Sequence, residues 1–316
     1  MALILVYHRI AEPIVDPWGL CVSPALFAEQ SACLRIIADP VPLDTIALAR
    51  SDKELPDRPV AVTFDDGYAE TLTNAAPILE SFALPATVFV TTGYLDLKGD
   101  VWSDELASLV LLARADPETL MRRCGIESNA GFPVRGTRSG WYAWEPATEL
   151  RQWLYCTLYD RLLGITSPQR SELLGEVRAW AGAPLPECDS ARMLSSAECA
   201  QLASVPQIEI GAHTVSHPVL SRLDAEHQKL EVANSKRALE SLLRKPVRAF
   251  AYPYGKRDHF NSESVAAVQA AGFECACANY GRPTETSTSR WALPRYQILN
   301  WPGNRFADEI TQWFRE

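Results

Sequence analysis

Positive charge is in short supply in this chain. Thirty Lys and Arg stand against 39 Asp and Glu, giving a net charge of −9. A surface with no basic excess has little bulk attraction for phosphate backbones or anionic membranes, so nucleic acid is not an expected partner. No apolar run approaches the roughly 20 residues that cross a bilayer, and no integral membrane segment is expected. The apolar start, residues 1–8, has no basic region before it, and His8-Arg9 arrives too early for a signal-peptide core. No low-complexity tract, like-charge run or solenoid-period repeat is present. The eight cysteines form no CxxC pair, and a chain of this size needs no disulfide staples. They read as reduced packing residues, including Cys275 and Cys277 on one face of a strand. These absences together lead to an expectation of a cytoplasmic protein.

What is present suffices for a large core. The 316 residues are 47% hydrophobic, which fits one barrel or one domain with an elaboration. The chain is organised around Val60-Ala61-Val62-Thr63-Phe64-Asp65-Asp66-Gly67-Tyr68. Its apolar run suits a buried strand, but two adjacent carboxylates do not suit a core. In α/β sheets the catalytic groups gather at the carboxyl ends of strands. Successive strand residues face opposite ways, so one Asp can hold a cation while the other stays free as a base. The alternative is that one Asp merely caps the following helix.

A second stretch, His213-Thr214-Val215-Ser216-His217, follows the apolar run Ile208-Glu209-Ile210-Gly211-Ala212. Histidines four apart share a face if the segment turns helically, and that spacing suits one metal ion. A carboxylate and two imidazoles make three protein ligands and leave a position open, as catalytic zinc requires.

The rest of the chain reads as alternating strands and helices. Strands are expected at 2–7, 41–43, 60–64, 86–90, 207–210, 247–251, 273–278 and 293–298. Helices are expected from the Ser23-Pro24 cap onward and at 70–82, 196–203, 225–243, 261–271 and 304–313. That βα rhythm predicts a parallel sheet. Residues 97–192 break it. They show helical patterns near 103–114, 147–163 and 167–181 but no buried strand, so a helical insertion is expected within a single domain spanning 1–316. Trp102, Trp141, Trp144, Trp153 and Trp180 fall in it. Trp153 and Trp180 sit within amphipathic helices and are assigned to its core. Trp141, Tyr142 and Trp144 lie in the Gly- and Arg-containing stretch 131–144. There they either stack on sugar rings as a substrate wall or pack the insertion.

TFDDGY, then HTVSH, then Phe250-Ala251-Tyr252-Pro253-Tyr254-Gly255 resemble the ordered motifs of the polysaccharide deacetylase family of metal-dependent carbohydrate esterases. The resemblance covers about residues 1–96 and 191–300. It implies an α/β fold, an irregular (β/α) barrel of about seven parallel strands, into which the helical insertion is set. It also implies Asp66, His213 and His217 as ligands of one divalent metal, zinc first, with Co²⁺, Ni²⁺ or Mn²⁺ as alternatives. Asp65 becomes the base, the Tyr254 backbone N–H the oxyanion donor, and Tyr252 and Pro253 part of the substrate-binding turn.

The chain departs from the family pattern twice. The arginine that usually orients the base is replaced by Ala251, and Arg295 in Leu293-Pro294-Arg295-Tyr296 is the candidate substitute. The usual C-terminal Leu-x-x-His is missing, since no histidine follows His259. Tyr7-His8 matches a circularly rearranged branch, similar to the biofilm poly-N-acetylglucosamine deacetylases, in which a YH pair supplies the acid. A nearby carboxylate is expected to keep His8 protonated. His259 is the rival acid, and His227 is expected to face solvent. The expected activity is removal of the N-acetyl group from an amino sugar, free, lipid-linked or nucleotide-linked, in cell-surface glycan biosynthesis. Two alternatives are hydrolysis of a formamide or cyclic imide, and a catalytically silent sugar-binding protein.

Overall fold

The structure, a computed structural model, describes residues 1–127, 140–182 and 191–316. It divides into two compact units. One comprises Met1–Glu12, Leu20–Leu97 and Met193–Glu316, the other Pro13–Gly19 and Lys98–Arg192.

The first unit is a nearly closed parallel barrel. Its strands are β1 (Leu3–Tyr7), β2 (Pro59–Phe64), β3 (Ala86–Val90), β4 (Ile208–Ala212), β5 (Ala249–Ala251), β6 (Cys275–Ala278), β7 (Leu293–Pro294) and β8 (Tyr296–Gln297). They are ordered β7-β6-β5-β4-β3-β2-β1-β8. β7 and β8 are two pieces of one stretch interrupted at Arg295. Leu293 lies opposite Cys277 on β6 and Tyr296 opposite Leu5 on β1. One broken seventh strand therefore joins the two ends of the sheet.

Burial explains the composition. β1, β2 and β3 are buried along their whole lengths, as parallel strands covered by helices must be. Side chains still alternate. Ile4, Ala61, Phe89, Ala251 and Cys277 fill the barrel interior. Leu3, Leu5, Val60 and Val62 point outward into a larger core with Phe27, Leu79, Val232, Leu239 and Phe306 from the helices.

Three local expectations need correction. Residues 41–43 are not a strand: Asp39–Pro40 pairs with β2. Leu43–Ala47 is a short helix burying Leu43, Ile46 and Ala47, an i, i+3, i+4 spacing that a short apolar run hides. The stretch 70–82 starts as a π-helical turn, Thr71–Ala75, before the α-helix Ala76–Ser81. Pro77 cannot donate a backbone bond at that junction. The strand expected at 293–298 is broken by Arg295.

The second unit is helical: Trp102–Leu112, Pro117–Cys124, Leu150–Leu163 and Ser167–Ala181. Leu106, Val110, Leu120, Leu154, Leu158, Leu162 and Val177 form its core. Trp180 is buried, its Nε1–H donating to the Asp116 carbonyl at 2.8 Å. Trp153 is half-buried. Pro117–Cys124 escaped the sequence reading, although Asp116 caps it and Gly125 ends it at φ 61°. Pro13–Gly19 was also not anticipated here. The Ala143 N–H donates to the Pro17 carbonyl at 2.6 Å, and Trp18 packs on Tyr159 at 4.7 Å. Residues 128–139, most of the Gly- and Arg-containing stretch, lie outside the described residues. Among the described residues every cysteine is a free thiol, and no helix is long and apolar enough to cross a membrane.

Candidate active site

β2 runs into Asp65 and then reverses. Asp66 has φ 72° and Gly67 φ 90°. A Cβ on Gly67 would lie 3.2 Å from Val90 Cγ1 in a backbone region that side chains rarely adopt. The turn is pinned between the neighbouring strands: the Asp65 N–H donates to the Tyr7 carbonyl at 3.0 Å, and the Thr91 N–H to the Asp66 carbonyl at 3.2 Å. The end of the barrel thus fixes both carboxylates before any ligand arrives.

Arg295 closes on Asp65 from the break in the seventh strand. Nη1 donates to Oδ1 at 2.7 Å and Nη2 to Oδ2 at 2.6 Å. Nη1 also donates to Thr63 Oγ1 at 3.0 Å, and Nε to Asn279 Oδ1 at 2.9 Å. Both partners are buried, with Arg295 at 1% exposure and Asp65 at 1%. Burial alone would push the Asp65 carboxyl up. The Arg295 charge, then His213 and the arginine hydrogen bonds, outweigh it and hold the carboxyl below its ordinary range. Asp65 is therefore an ionised, oriented carboxylate, and the arginine absent at Ala251 has a counterpart at Arg295.

Ala251 keeps a role through its backbone. Its carbonyl lies 2.7 Å from His213 Nδ1, which assigns the proton to Nδ1 and turns Nε2 toward Asp66. The residues from His213 to His217 are not helical, contrary to the expectation. Thr214 takes φ 65° and His217 φ 55°, and this irregular turn brings the two rings to 4.9 Å. Thr214 Oγ1 accepts the His217 N–H at 3.1 Å. From the short turn Thr92–Tyr94 that follows β3, the Thr92 and Gly93 N–H groups donate to the carbonyls of Thr214 and Val215 at 3.1 and 2.8 Å. A Cβ at Gly93 would press into the Val215 carbonyl.

The three expected ligands meet. Asp66, His213 and His217 each offer an atom, all within 4.8 Å of one another. Asp66 Oδ1 lies 3.5 Å from His213 Nε2 and 3.2 Å from His217 Nε2. It is buried without a hydrogen-bond partner, an arrangement that costs free energy unless something else is bound there. A carboxylate oxygen with two imidazole nitrogens is a donor set that suits a divalent transition metal. The residues fit the group.

His8 belongs to the same constellation, since its charge interacts with Asp66, Asp65, Arg295 and His213. Its protonation differs from the expectation that a carboxylate keeps it charged. Burial pushes the imidazole pKa down, and the pull of Asp66 and Asp65 does not compensate. Tyr254, at φ 61°, packs edge-on to His217 at 4.6 Å. His259 stands one layer further out, 5.6 Å from the Tyr254 ring, and burial lowers its pKa too. The His227 side chain is 68% exposed and bonded to Asp224. Tyr252 is not available to a substrate. Its side chain is fully buried, stacked on Phe260 at 4.1 Å and donating to the Trp291 carbonyl at 2.9 Å. Pro253 is also buried.

On the second unit, Tyr142 and Trp144 stack at 4.3 Å, and Trp144 is 51% exposed. Trp141 instead packs edge-on to Tyr155 at 6.5 Å. The sequence reading missed Asn279, which holds the Arg295 Nε, and Glu231, which grips the loop between the two histidines. A polar residue directly after β6 and an acid beside the buried stripe Gln228, Val232, Ser235 were the available signals.

The polysaccharide deacetylase family matches at residues 52–115 and 189–276. Over 96 residues the chain is 33% identical to the poly-beta-1,6-N-acetyl-D-glucosamine N-deacetylase of Escherichia coli K12, a match covering 30% of this chain and 14% of that protein. The chain thus spans only a small part of the curated relative it matches. Among solved structures, Streptococcus pyogenes deacetylase PplD in complex with acetate superposes with a TM-score of 0.60 at 19% identity, over 99% of this chain and 97% of that one. IcaB from Ammonifex degensii gives 0.57 at 17% identity, over 98% and 96%. These likenesses show a shared fold. The family match contains both the aspartate turn and the two-histidine loop that meet at the barrel mouth, and the chain carries a polysaccharide deacetylase domain.

Proposed function

We propose that this chain hydrolyses the N-acetyl group of an amino sugar, as part of cell-surface polysaccharide or glycoconjugate synthesis. The observation that carries the proposal is the pairing of two differently equipped carboxylates. Asp66 faces two imidazoles with an unpartnered oxygen, while Asp65, one residue away, is held ionised by Arg295. A sugar-binding surface has no use for an oriented, unligated base.

Asp66, His213 and His217 would hold a divalent metal, zinc being the first candidate. When bound, it supplies Lewis acidity, acidifying a water and polarising the amide carbonyl. The chain's own groups do the rest. Asp65 takes a proton from the attacking water as its oxygen bonds to the carbonyl carbon. Arg295 keeps Asp65 in the correct protonation state and orientation. The Tyr254 N–H stabilises the negative charge that develops on the carbonyl oxygen. His8 delivers a proton to the nitrogen as the C–N bond breaks, and the products are acetate and the free amine. The exposed face of Trp144, stacked on Tyr142, is a platform for a sugar ring.

The test, with zinc-loaded protein, is acetate release from N-acetylglucosamine, its β-1,6 oligomers and nucleotide-linked N-acetyl sugars, beside formate release from a formamide and ring opening of a cyclic imide. Release from a sugar, lost in Asp65→Asn, supports the proposal. Turnover of only the formamide or imide assigns the chain to another amide class. Cell fractionation then decides between a cytoplasmic intermediate and an exported polymer.

A further inference from the structure

Between the two metal-facing histidines the chain makes an irregular turn held from two sides. The turn after β3 grips two carbonyls from one side, through the Thr92 and Gly93 N–H groups. On the other side a single carboxylate collects three donors. Glu231 Oε2 accepts the Val215 N–H at 2.8 Å and the Ser216 N–H at 2.9 Å, while Oε1 accepts Ser216 Oγ–H at 2.6 Å. All three intervening residues of the loop are therefore fixed by partners outside it or by its own hydroxyl.

The carboxylate is well placed to hold the turn rigid. Glu231 lies on the Ala225–Leu243 helix, which packs on β4. Gln228, Val232, Ser235 and Leu239 bury the adjacent stripe. Gln228 is itself locked, donating to the Leu223 carbonyl at 2.9 Å and accepting from Ser264 Oγ at 2.5 Å. Glu231 is thus carried on an element that cannot easily slide. The turn it grips is one that would not persist alone. Thr214, a β-branched residue, sits at φ 65°, and His217 at φ 55°. Such conformations persist only where the surroundings over-determine them. If the turn relaxed, the two Nε2 atoms would no longer converge on Asp66 Oδ1.

We infer that Glu231 is a positioning residue for the metal centre: it presets the turn between His213 and His217 and thereby sets metal affinity without touching the metal. The inference rests on the assignment of Asp66, His213 and His217 as ligands. Charge-assisted bonds to backbone N–H groups are stronger than neutral ones. Residues that orient ligands from behind commonly govern affinity by about 10- to 100-fold.

The experiment compares Glu231→Ala and Glu231→Gln with the unaltered chain. Zinc affinity is measured by chelator competition, and hydrogen exchange at Val215 and Ser216 is measured on the metal-free protein. Glu231→Ala should weaken zinc binding by about 10- to 100-fold and speed exchange at those two amides. Glu231→Gln should lose clearly less than Glu231→Ala, because its amide oxygen can still accept both N–H groups, though without the charge, and its amide nitrogen can donate to Ser216 Oγ. Loss of exchange protection in Glu231→Ala with unchanged zinc affinity would overturn the inference. So would equal loss of affinity in both variants. If the unaltered chain binds no zinc, or binds it equally without His213 and His217, the ligand assignment fails instead. The exchange data would then still show whether Glu231 holds the turn.

Discussion

Arg295 and Asp65 form a buried, two-pronged ion pair across 230 residues of chain, with both nitrogen–oxygen distances at or below 2.7 Å. The arginine enters from the one break in the barrel's closing strand. The strand changes neighbours around this residue, pairing with β6 before it and with β1 after it, and the Arg295 carbonyl accepts the Gly281 N–H at 3.0 Å.

The first prediction follows from that pair. Arg295→Met leaves a buried carboxylate without its counter-charge, which commonly costs about 3–5 kcal/mol. Urea unfolding measures that loss. In the unaltered chain the Asp65 pKa lies below its ordinary value. The pair's stabilisation is therefore complete above the unfolded carboxyl pKa of about 3.9 and is lost as pH falls through the lower folded value. Without Arg295 the Asp65 pKa rises, the base protonates at higher pH, and the acid limb of kcat/KM moves up. Arg295→Lys should lie in between, keeping the charge but losing the fork. An acid limb unmoved in both variants would detach Arg295 from the base.

The second prediction separates the two aspartates. Asp65→Asn should abolish turnover yet keep zinc, while Asp66→Asn should lose zinc itself. Elemental analysis of protein purified without chelator reads both. A full zinc load in a His213→Ala, His217→Ala double variant would contradict the ligand set, and equal zinc loss in the two Asp variants would contradict the division of labour.

Much of this was legible in the sequence because strands buried on both faces and amphipathic helices carry different periods. The helix over 225–243 matches its expected ends, and Asp224 caps it, accepting the His227 N–H at 2.9 Å. The parallel barrel followed from that rhythm and from the family resemblance. What stayed hidden was of two kinds. Backbone held in the left-handed region at Thr214 and His217 has no residue-type signal, so the turn between the histidines was expected to be helical. Residues joined only in space, such as Arg295 with Asp65 or Glu231 with Val215, leave no local pattern. Tyr252 shows a third limit: motif membership did not reveal that its ring faces Phe260 in the core.

The third prediction concerns the second unit. Trp144→Ala should raise KM for an oligomeric sugar several-fold while leaving kcat and thermal stability close to the unaltered values, because the ring is half exposed and its removal opens no buried cavity. Trp141→Ala should instead lower the melting temperature, since its indole packs on Tyr155. Unchanged KM in Trp144→Ala across all sugar lengths would remove Trp144 from substrate binding.

The fourth prediction is that His8 is the general acid. Amide hydrolysis needs a proton at nitrogen, because an amide anion is a very poor leaving group. Among the five histidines, two are assigned to the metal, His227 is exposed on a helix, and His259 stands behind Tyr254. His8 alone ends a barrel strand within the field of both aspartates. Its pKa is lowered by burial, so only a minority of the resting imidazole is charged at neutral pH, and that minority is the more acidic for it. The acid must be protonated to act. The contribution of His8 should therefore fall as pH rises through a value below the ordinary 6.5. His8→Ala should keep zinc and fold, lose kcat by about a hundredfold or more, and lose that alkaline limb. The loss should shrink for an activated aryl acetate, whose leaving group needs little protonation. If His8→Ala instead hydrolyses the natural amide at nearly full rate while His259→Ala does not, the proton comes from His259 and the Tyr254 ring must move to let it through.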